Sequence, residues 1–166
     1  MFSSALIAVV LAVLPVQTAT LIFIRPAAWT DRAPASSMRV AEFVVPRASG
    51  DAEDGELIVY YFGGTGGTVD ANLQRWTSQF QSTKEPIRTT STVNNLRLTS
   101  LDVSGTYVTE VRPGSTARHN KPGFRMRATV VDTPKGPYFI KFTGPAATIE
   151  KAGAAFEQFI ESLAFK

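Results

Sequence analysis

The sequence predicts an α+β domain in which an antiparallel β-sheet of about six strands packs against two helices. Three observations predict this fold class. Segments with the two-residue period of strands occur in both halves of the chain, a helical period of apolar residues occurs in two segments, and no sequence repeat is present. Strands and helices do not alternate regularly, which disfavours a parallel sheet built from βαβ units. One domain accounts for a chain of 166 residues, of which 44% are hydrophobic.

The amino terminus predicts export to the periplasm or the medium. No charged side chain precedes Arg25, and Ala5 to Pro15 is almost purely aliphatic, as in the apolar segment of a secretory signal. We therefore expect a signal peptide at residues 1–19 and a single domain at residues 20–166. The alternative is an uncleaved membrane anchor running from Ala5 to Ile24. In both cases the folded part lies outside the cytoplasm.

The first half of the mature chain predicts three strands. Thr20 to Ile24 is a short β-branched run that ends before a proline, and a loop is expected from Trp29 to Ser37. Met38 to Val45 alternates polar and apolar residues, which indicates a second strand. Leu57 to Phe62 is continuously apolar or aromatic between glycines, which predicts a strand in the middle of the sheet that is covered on both faces.

A helix and a long β segment follow. Apolar residues recur at helical spacing from Val69 to Phe80, and Thr68 is suited to cap the first turn. From Val93 to Thr109 the period is two again, which predicts either a hairpin or one long strand bent at Gly105.

The last part of the chain predicts a hairpin and a second helix. Phe124 to Val131 alternates, and a Pro-Lys-Gly turn leads to Tyr138 to Phe142, so we expect these two segments to pair. The final helix begins at Gly144-Pro145 and places an apolar stripe on one face as far as Leu163, which predicts that it packs on the sheet.

Three motifs lie within this order of elements: Ser36 to Arg39, Tyr61 to Gly64 followed by Gly67 and by Asn72 to Trp76, and Lys141 to Pro145. In these motifs and in topology the chain resembles exported bacterial members of the PsbP-like fold family, which includes the extrinsic photosystem II protein and a eukaryotic Ran-binding relative. The resemblance covers nearly the whole mature chain and implies an α/β/α sandwich. It implies no functional residue, because these motifs carry no known chemistry.

The composition excludes several kinds of site. With no cysteine and one histidine there is no thiolate nucleophile, zinc-thiolate site or multi-histidine metal site. A net charge of +3 is far below the clustered basicity of a nucleic-acid-binding protein. We therefore expect no cofactor, no resident metal and no nucleic-acid partner, and contact with a membrane only through an uncleaved anchor.

A glycine-rich loop before the first helix is a candidate site. Flexible glycines at a helix start let backbone amides converge on an anion, and the following turns add an amide, a guanidinium and an indole that could bind a ligand or a protein. The loop does not fit a P-loop or a dinucleotide fingerprint, and glycines often serve only to turn the chain, in which case Trp76 belongs to the core. The candidate residues are Gly64, Gly66, Gly67, Asp70, Asn72, Arg75 and Trp76.

A second candidate is a basic patch from Arg112 to Arg127. Such a patch could bind an anionic partner, a phospholipid head group or a cell-surface polymer. The alternative is a solvated loop followed by the outer face of a strand. The candidate residues are Arg112, Arg118, His119, Lys121, Arg125 and Arg127.

An acidic turn supplies oxygen ligands that could hold Ca²⁺, but its spacing does not match an EF-hand, and we favour a solvated hairpin turn. Its carboxylates are Asp51, Glu53, Asp54 and Glu56.

These features favour an exported, non-enzymatic binding or accessory domain whose partner is an unknown protein or an anionic envelope component. The alternative is a small hydrolase or transferase that uses the Gly63 to Gly67 loop as an anion or oxyanion site with His119 as the base. A third possibility, a structural component of an envelope assembly, predicts an exposed apolar patch.

Overall fold

The structure, a computed structural model, describes residues 20–82 and 84–166. The predicted signal peptide or anchor at residues 1–19 lies outside the described residues. Within them, no helix is long and apolar enough to cross a membrane. In chain order the elements are β1 Leu21–Ile22, β2 Thr30–Asp31, β3 Arg39–Val45, β4 Gly55–Tyr61, α1 Val69–Thr77, β5 Phe80–Ser82, β6 Ile87–Val93, β7 Leu96–Tyr107, β8 Lys121–Asp132, β9 Tyr138–Pro145, α2 Ala146–Lys151, α3 Gly153–Glu161 and β10 Ala164–Phe165.

An antiparallel sheet of eight strands forms the centre of the described chain. Its order is β2-β3-β4-β9-β8-β7-β5, and β6 pairs with the other part of β7. The predicted antiparallel sheet with packed helices is therefore confirmed. The predicted numbers, about six strands and two helices, are too low, since the described chain has eight strands in this sheet and three helices. The strand predicted at Leu57 to Phe62 is β4, which is interior, while the middle of the sheet is the neighbouring strand β9.

Helices cover both faces of this sheet. Along β8, Met126 and Ala128 pack with Leu73 and Trp76 of α1, whereas Val131 packs on the opposite face with α3 residues such as Phe159. Both sets are buried, because alternate side chains of a strand point to opposite faces. The expected α/β/α arrangement follows from this double burial.

Several predicted boundaries differ from the structure. The first helix ends at Thr77, and Phe80 belongs to β5, where it pairs with Tyr107. The final helix is interrupted at Ala152, whose ψ of 3° departs from helical geometry and whose N–H bonds the carbonyl oxygens of Thr148 and Glu150. The apolar stripe continues across this break, so periodicity alone did not reveal it.

The amino-terminal strand lies within the predicted segment Thr20 to Ile24, but it does not join the main sheet. Leu21–Ile22 pairs with β10 in a separate two-stranded sheet, next to α3 and away from the main sheet. The segment predicted as a loop from Trp29 to Ser37 contains the short edge strand β2, paired with β3. The partner of β1 lies at the other end of the chain, and β2 has only two residues, so no local pattern identifies either pairing.

The segment from Val93 to Thr109 contains the turn of the β6–β7 hairpin and the whole of β7. Asn94 and Asn95 have φ values of 46° and 65°, the left-handed conformation required by a two-residue turn. The pairing of β7 with β8 shifts register between Gly105 and Tyr107, where a bend was expected.

One face of the sheet is only partly covered by a helix. A helix is about 10 Å wide and adjacent strands lie about 4.8 Å apart, so a single helix covers two or three strands. Helix α1 packs over β7 and β8 and over Phe139 of β9. Within the described residues, no helix covers the same face of β3, β4 and the far part of β9, and this region holds the site described next.

Candidate functional site

A groove of about 590 Å³ lies on the part of the sheet that α1 leaves uncovered. Its floor consists of side chains from β4 and β9, and its sides come from β3, the turn before β4, the residue Gln79 after α1, and the loop between β7 and β8. Its volume is within the range of small-molecule binding sites. The lining residues are Arg32, Arg39, Glu53, Asp54, Gly55, Glu56, Ile58, Tyr60, Gln79, Tyr107, Thr109, Glu110, Val111, Arg112, Pro113, His119, Lys121, Phe124, Lys141 and Thr143.

Lys141 is a half-buried cation on the floor of this groove. Its Nζ donates a hydrogen bond to Oε1 of Gln79 at 2.9 Å. Among the described residues it forms no ion pair with a carboxylate. Burial lowers the pKa of Lys141 to about 8, and the positive charges of Arg75 and Arg39 act in the same direction, while Glu56 opposes them.

A buried carboxylate fixes the arginines at one side of the groove. The side chain of Glu42 is 2% exposed and accepts hydrogen bonds from Arg32 at 3.0 Å and Arg39 at 2.9 Å. Burial alone would raise the pKa of Glu42, but the hydrogen bonds from Arg39 and Arg32 outweigh it, so the pKa is lowered. The Arg39 guanidinium is thereby held over the ring of Tyr60, 5.7 Å from its centroid.

Stacked aromatic rings form the opposite side. Tyr107 stacks on His119 at a centroid distance of 5.6 Å and on Phe124 at 6.1 Å. Burial raises the pKa of Tyr107 to about 12, and the nearby Tyr60 adds to the shift, so the phenol remains a neutral hydroxyl at physiological pH. Lys121 extends over the Phe124 ring and pairs with Glu53 at 2.6 Å.

The loop that carries His119 continues the β7–β8 hairpin. The backbone N–H groups of Val111 and His119 donate hydrogen bonds to the carbonyl oxygens of Ala117 and Thr109, respectively. The backbones of Glu110 and Arg118 form an isolated antiparallel β-bridge. These bonds fix the position of His119 beside Tyr107. The groove therefore has an ordered rim on this side.

Comparison with solved structures identifies the architecture. One similar structure is PA94 from Pseudomonas aeruginosa, a protein of unknown function suggested to be a regulator; it is 15% identical, the match covers 87% of this chain and 96% of that one, and the TM-score is 0.53. Another is cyanobacterial PsbP (CyanoP) from Synechocystis sp. PCC 6803, which is 11% identical; the match covers 95% of this chain and 98% of that one, and the TM-score is 0.50. The chain has a PsbP-like fold.

The resemblance inferred from the sequence is thus confirmed for the PsbP-like fold. The sequence matches no protein-family model and no curated protein. Identities as low as these show a shared fold and carry no functional residue from one protein to the other.

In this PsbP-like fold the glycine-rich loop makes contacts that explain its composition. The side-chain amide of Asn72 donates to the carbonyl oxygens of Gly66 at 2.7 Å and Thr68 at 2.9 Å, and its Oδ1 accepts from Arg75 at 2.6 Å. A Cβ at Gly66 would lie 2.7 Å from the Phe139 ring. The loop is therefore tied to the helix that follows it.

The remaining candidate residues around that loop also have structural roles. Asp70 pairs with Arg88 at 2.6 Å, and Trp76 is 2% exposed in the core beneath α1. Gly64 and Gly67 have φ values of 87° and 82°, which favour glycine. None of the seven predicted residues of this site lines the groove.

The predicted basic patch is divided between the two faces of the sheet. Arg112, His119 and Lys121 line the groove, and Arg118 donates from Nε to the carbonyl oxygen of Val108 within the loop. The other two residues lie on the face covered by α2 and α3. There Arg125 pairs with Asp102 and Glu150, and Arg127 pairs with Glu157.

Three carboxylates of the predicted acidic turn line the groove, and each has a partner. Glu53 pairs with Lys121, Asp54 accepts from the backbone N–H of Arg47, and Glu56 pairs with Arg32. Asp51 lies elsewhere and accepts from the hydroxyl of Thr148. Within residues 20–82 and 84–166 no group of three or more acidic or histidine side chains is placed to hold a metal ion.

The sequence did not predict the central residues of the groove. Tyr60, Tyr107 and Lys141 lie on three separate strands and Gln79 lies between α1 and β5, so no local pattern connects them. One signal was present: Lys141 is a charged residue in the middle of the apolar run from Tyr138 to Phe142, where an interior strand has little reason to carry an ammonium group.

Proposed function

We propose that the protein is an exported binding domain whose ligand occupies the groove on the uncovered part of the sheet. The observation that supports it is the lining of this groove, where a lysine, a glutamine and two tyrosines take the place of the apolar residues that a covering helix would require. Functional groups from several elements converge there on a space large enough for a small molecule.

Export is supported by the sequence alone, through the aliphatic segment before Arg25. A binding domain outside the cytoplasm meets solutes and envelope components, and the basic side chains of Arg112, His119 and Lys121 at the rim favour an anionic one.

The enzymatic alternative has less support from the geometry. It requires His119 to bond a serine or a carboxylate in a pocket that also contains Gly66 and Gly67. Among the described residues, the His119 ring stacks on Tyr107 and forms no side-chain hydrogen bond, and neither glycine lines the groove.

Blocking the groove tests this proposal without changing any charge. Thr143 lies on the floor and is half-buried, so Thr143→Trp would fill part of the groove. Thr90→Trp is the matched control, since Thr90 is exposed on β6 at the edge of the sheet. The measurement is a thermal-shift screen of small molecules against wild type and both variants.

We expect compounds that raise the melting temperature of wild type and of Thr90→Trp to lose this effect on Thr143→Trp. Circular dichroism would verify that both variants are folded. The proposal is wrong if the same compounds stabilise all three proteins equally, because the ligand would then bind elsewhere.

A further inference from the structure

The chemistry of the groove also indicates the class of ligand. Three of its cations are paired with carboxylates: Arg32 and Arg39 with Glu42, and Lys121 with Glu53. Lys141 is different, because in the part of the chain that the structure describes its ammonium group bonds only the neutral side chain of Gln79. An ammonium group has three donors, so two remain for a ligand.

Gln79 provides a second set of donors beside Lys141. Its Oε1 accepts from Lys141, which leaves the two N–H groups of its amide without a partner among the described residues. The backbone holds Gln79 in place, since its N–H bonds the carbonyl oxygen of Trp76 at 3.1 Å and its own carbonyl oxygen accepts from Val108 at 2.8 Å. An ammonium and an amide side by side match the two oxygens of a carboxylate.

The surrounding charges favour an anion at this position. Arg39 and Arg75 lie close enough to Lys141 to disfavour its protonated form, and Glu56 opposes them. A bound anion would offset the cost of this unpaired, half-buried ammonium group. Charge-assisted hydrogen bonds of this type are shorter and stronger than neutral ones.

The aromatic residues add a preference for a planar organic group. Tyr60, Tyr107 and Phe124 all line the groove. Arg39 lies over Tyr60, Lys121 lies over Phe124 and Tyr107 stacks on His119 and Phe124, so a planar apolar group would contact the edges of these rings. We propose that the ligand is a small organic acid whose carboxylate or phosphate group binds Lys141 and Gln79 and whose planar part contacts these rings. This inference rests on the proposed function of the groove.

Three probes of similar shape test the inference. Benzoate and phenyl phosphate carry the two kinds of oxyanion, and benzamide is the neutral analogue of benzoate. Each is titrated into the ¹⁵N-labelled protein, residues 20–166, and amide chemical shifts give both the position and the affinity. We expect the two acids to perturb the groove and to bind about tenfold or more tightly than benzamide.

Two variants test whether the acid binds to the unpaired charge of Lys141. Lys141→Gln removes the charge, and benzoate should then bind no better than benzamide. Gln79→Glu keeps Lys141 but gives it an internal carboxylate partner, so benzoate binding should be lost while the protein stays folded. Lys135→Gln is the matched control, because Lys135 is exposed at the β8–β9 turn, and it should leave all affinities unchanged.

Three results would overturn the inference. They are benzamide binding in the groove as tightly as benzoate, Lys141→Gln retaining the preference for acids, and acids that bind only elsewhere or not at all. The first two results leave the groove as a binding site and refute only the choice of ligand. In the third case the Thr143→Trp comparison decides separately whether the groove binds anything.

Discussion

Lys141 illustrates at the scale of one residue how a binding function can cost stability. An ammonium group that loses water without gaining a carboxylate destabilises the folded state. The lowered pKa of Lys141, about 8 against an ordinary value of 10.5, expresses this cost. Retaining such a residue in an interior strand is easier to explain by binding than by packing.

Replacing Lys141 should therefore stabilise the protein. Lys141→Met removes the ammonium group and keeps most of the side-chain volume, so the free energy of unfolding at pH 7 should rise by about 1–2 kcal/mol. Lys135→Met, at an exposed position, should change it by less than about 0.5 kcal/mol. Urea denaturation measures both.

The pH dependence gives a second test of the same residue. Between pH 8 and 10.5 the unfolded chain binds the Lys141 proton more strongly than the folded protein does. The destabilisation by the protonated lysine is complete below pH 8 and disappears as the pH rises to 10.5. The difference in the free energy of unfolding between Lys141→Met and wild type should therefore shrink over this range. A difference that stays constant would mean that the ammonium group is not its cause.

At the scale of elements, the glycine-rich loop connects β4 to α1 by contacts that only glycine permits. Gly66 combines a φ of 120° with a position against the Phe139 ring. The sequence predicted the helix start and the Thr68 cap, and the hydroxyl of Thr68 does accept from the N–H of Ala71 at 3.2 Å. Sequence alone could not separate an anion-binding loop from a tight turn, because both use the same residue type.

Two glycine substitutions distinguish these roles. Gly66→Ala should destabilise the protein by about 2 kcal/mol or more, because the methyl group meets the Phe139 ring and the backbone is strained. Gly153→Ala, in the first turn of α3 with open space around it, should stabilise by about 0.5–1 kcal/mol. Thermal unfolding compares the two. Equal effects would refute the structural role assigned to Gly66.

Elements with a strong local pattern were predicted well, and those that depend on distant contacts were not. The hairpin of β8 and β9 follows from alternation and a turn. By contrast, β1 and β2 consist of two residues each. The partner of β1 is β10 at the other end of the chain, and β2 is too short to show a pattern of its own. Glu42, in β3, is buried and paired with Arg32 and Arg39, and the alternation of this segment does not identify these partners.

At the scale of the whole molecule, two apolar clusters on opposite faces of one sheet hold the domain together. The larger one joins α3 to β3 and β9 through Trp29, whose ring lies 6.2 Å from Phe43, 5.9 Å from Phe142 and 5.6 Å from Phe159. Trp29 precedes β2 in a segment predicted as a loop. That prediction gave no sign of its burial, because burial depends on which elements meet there.

Removing this ring should weaken the domain as a whole. Trp29→Ala should lower the free energy of unfolding by about 3–5 kcal/mol, since the cavity lies between three elements. Ile24→Ala, at a residue that is 74% exposed, should cost less than about 0.5 kcal/mol. Chemical denaturation provides the measurement. A small effect of Trp29→Ala would mean that the amino-terminal segment is not docked as described.

The groove is also a property of the whole molecule. It exists because α1 is too narrow to cover its face of the sheet, and its residues converge from β3, β4, β7, β8 and β9. The sequence predicted three residues of the rim, Arg112, His119 and Lys121, but grouped them with two arginines that point to the other face. Which residues share a face depends on strand register, and a single sequence does not determine it.

The most direct test is an amide chemical-shift map of the wild-type protein with the strongest-binding compound from the screen. If the ligand binds in the groove, the largest shifts occur at Tyr60, Tyr107 and Lys141 and in the loop that carries His119. Largest shifts in the glycine-rich loop from Gly63 to Gly67, or around Arg125 and Arg127 on the opposite face, would contradict it.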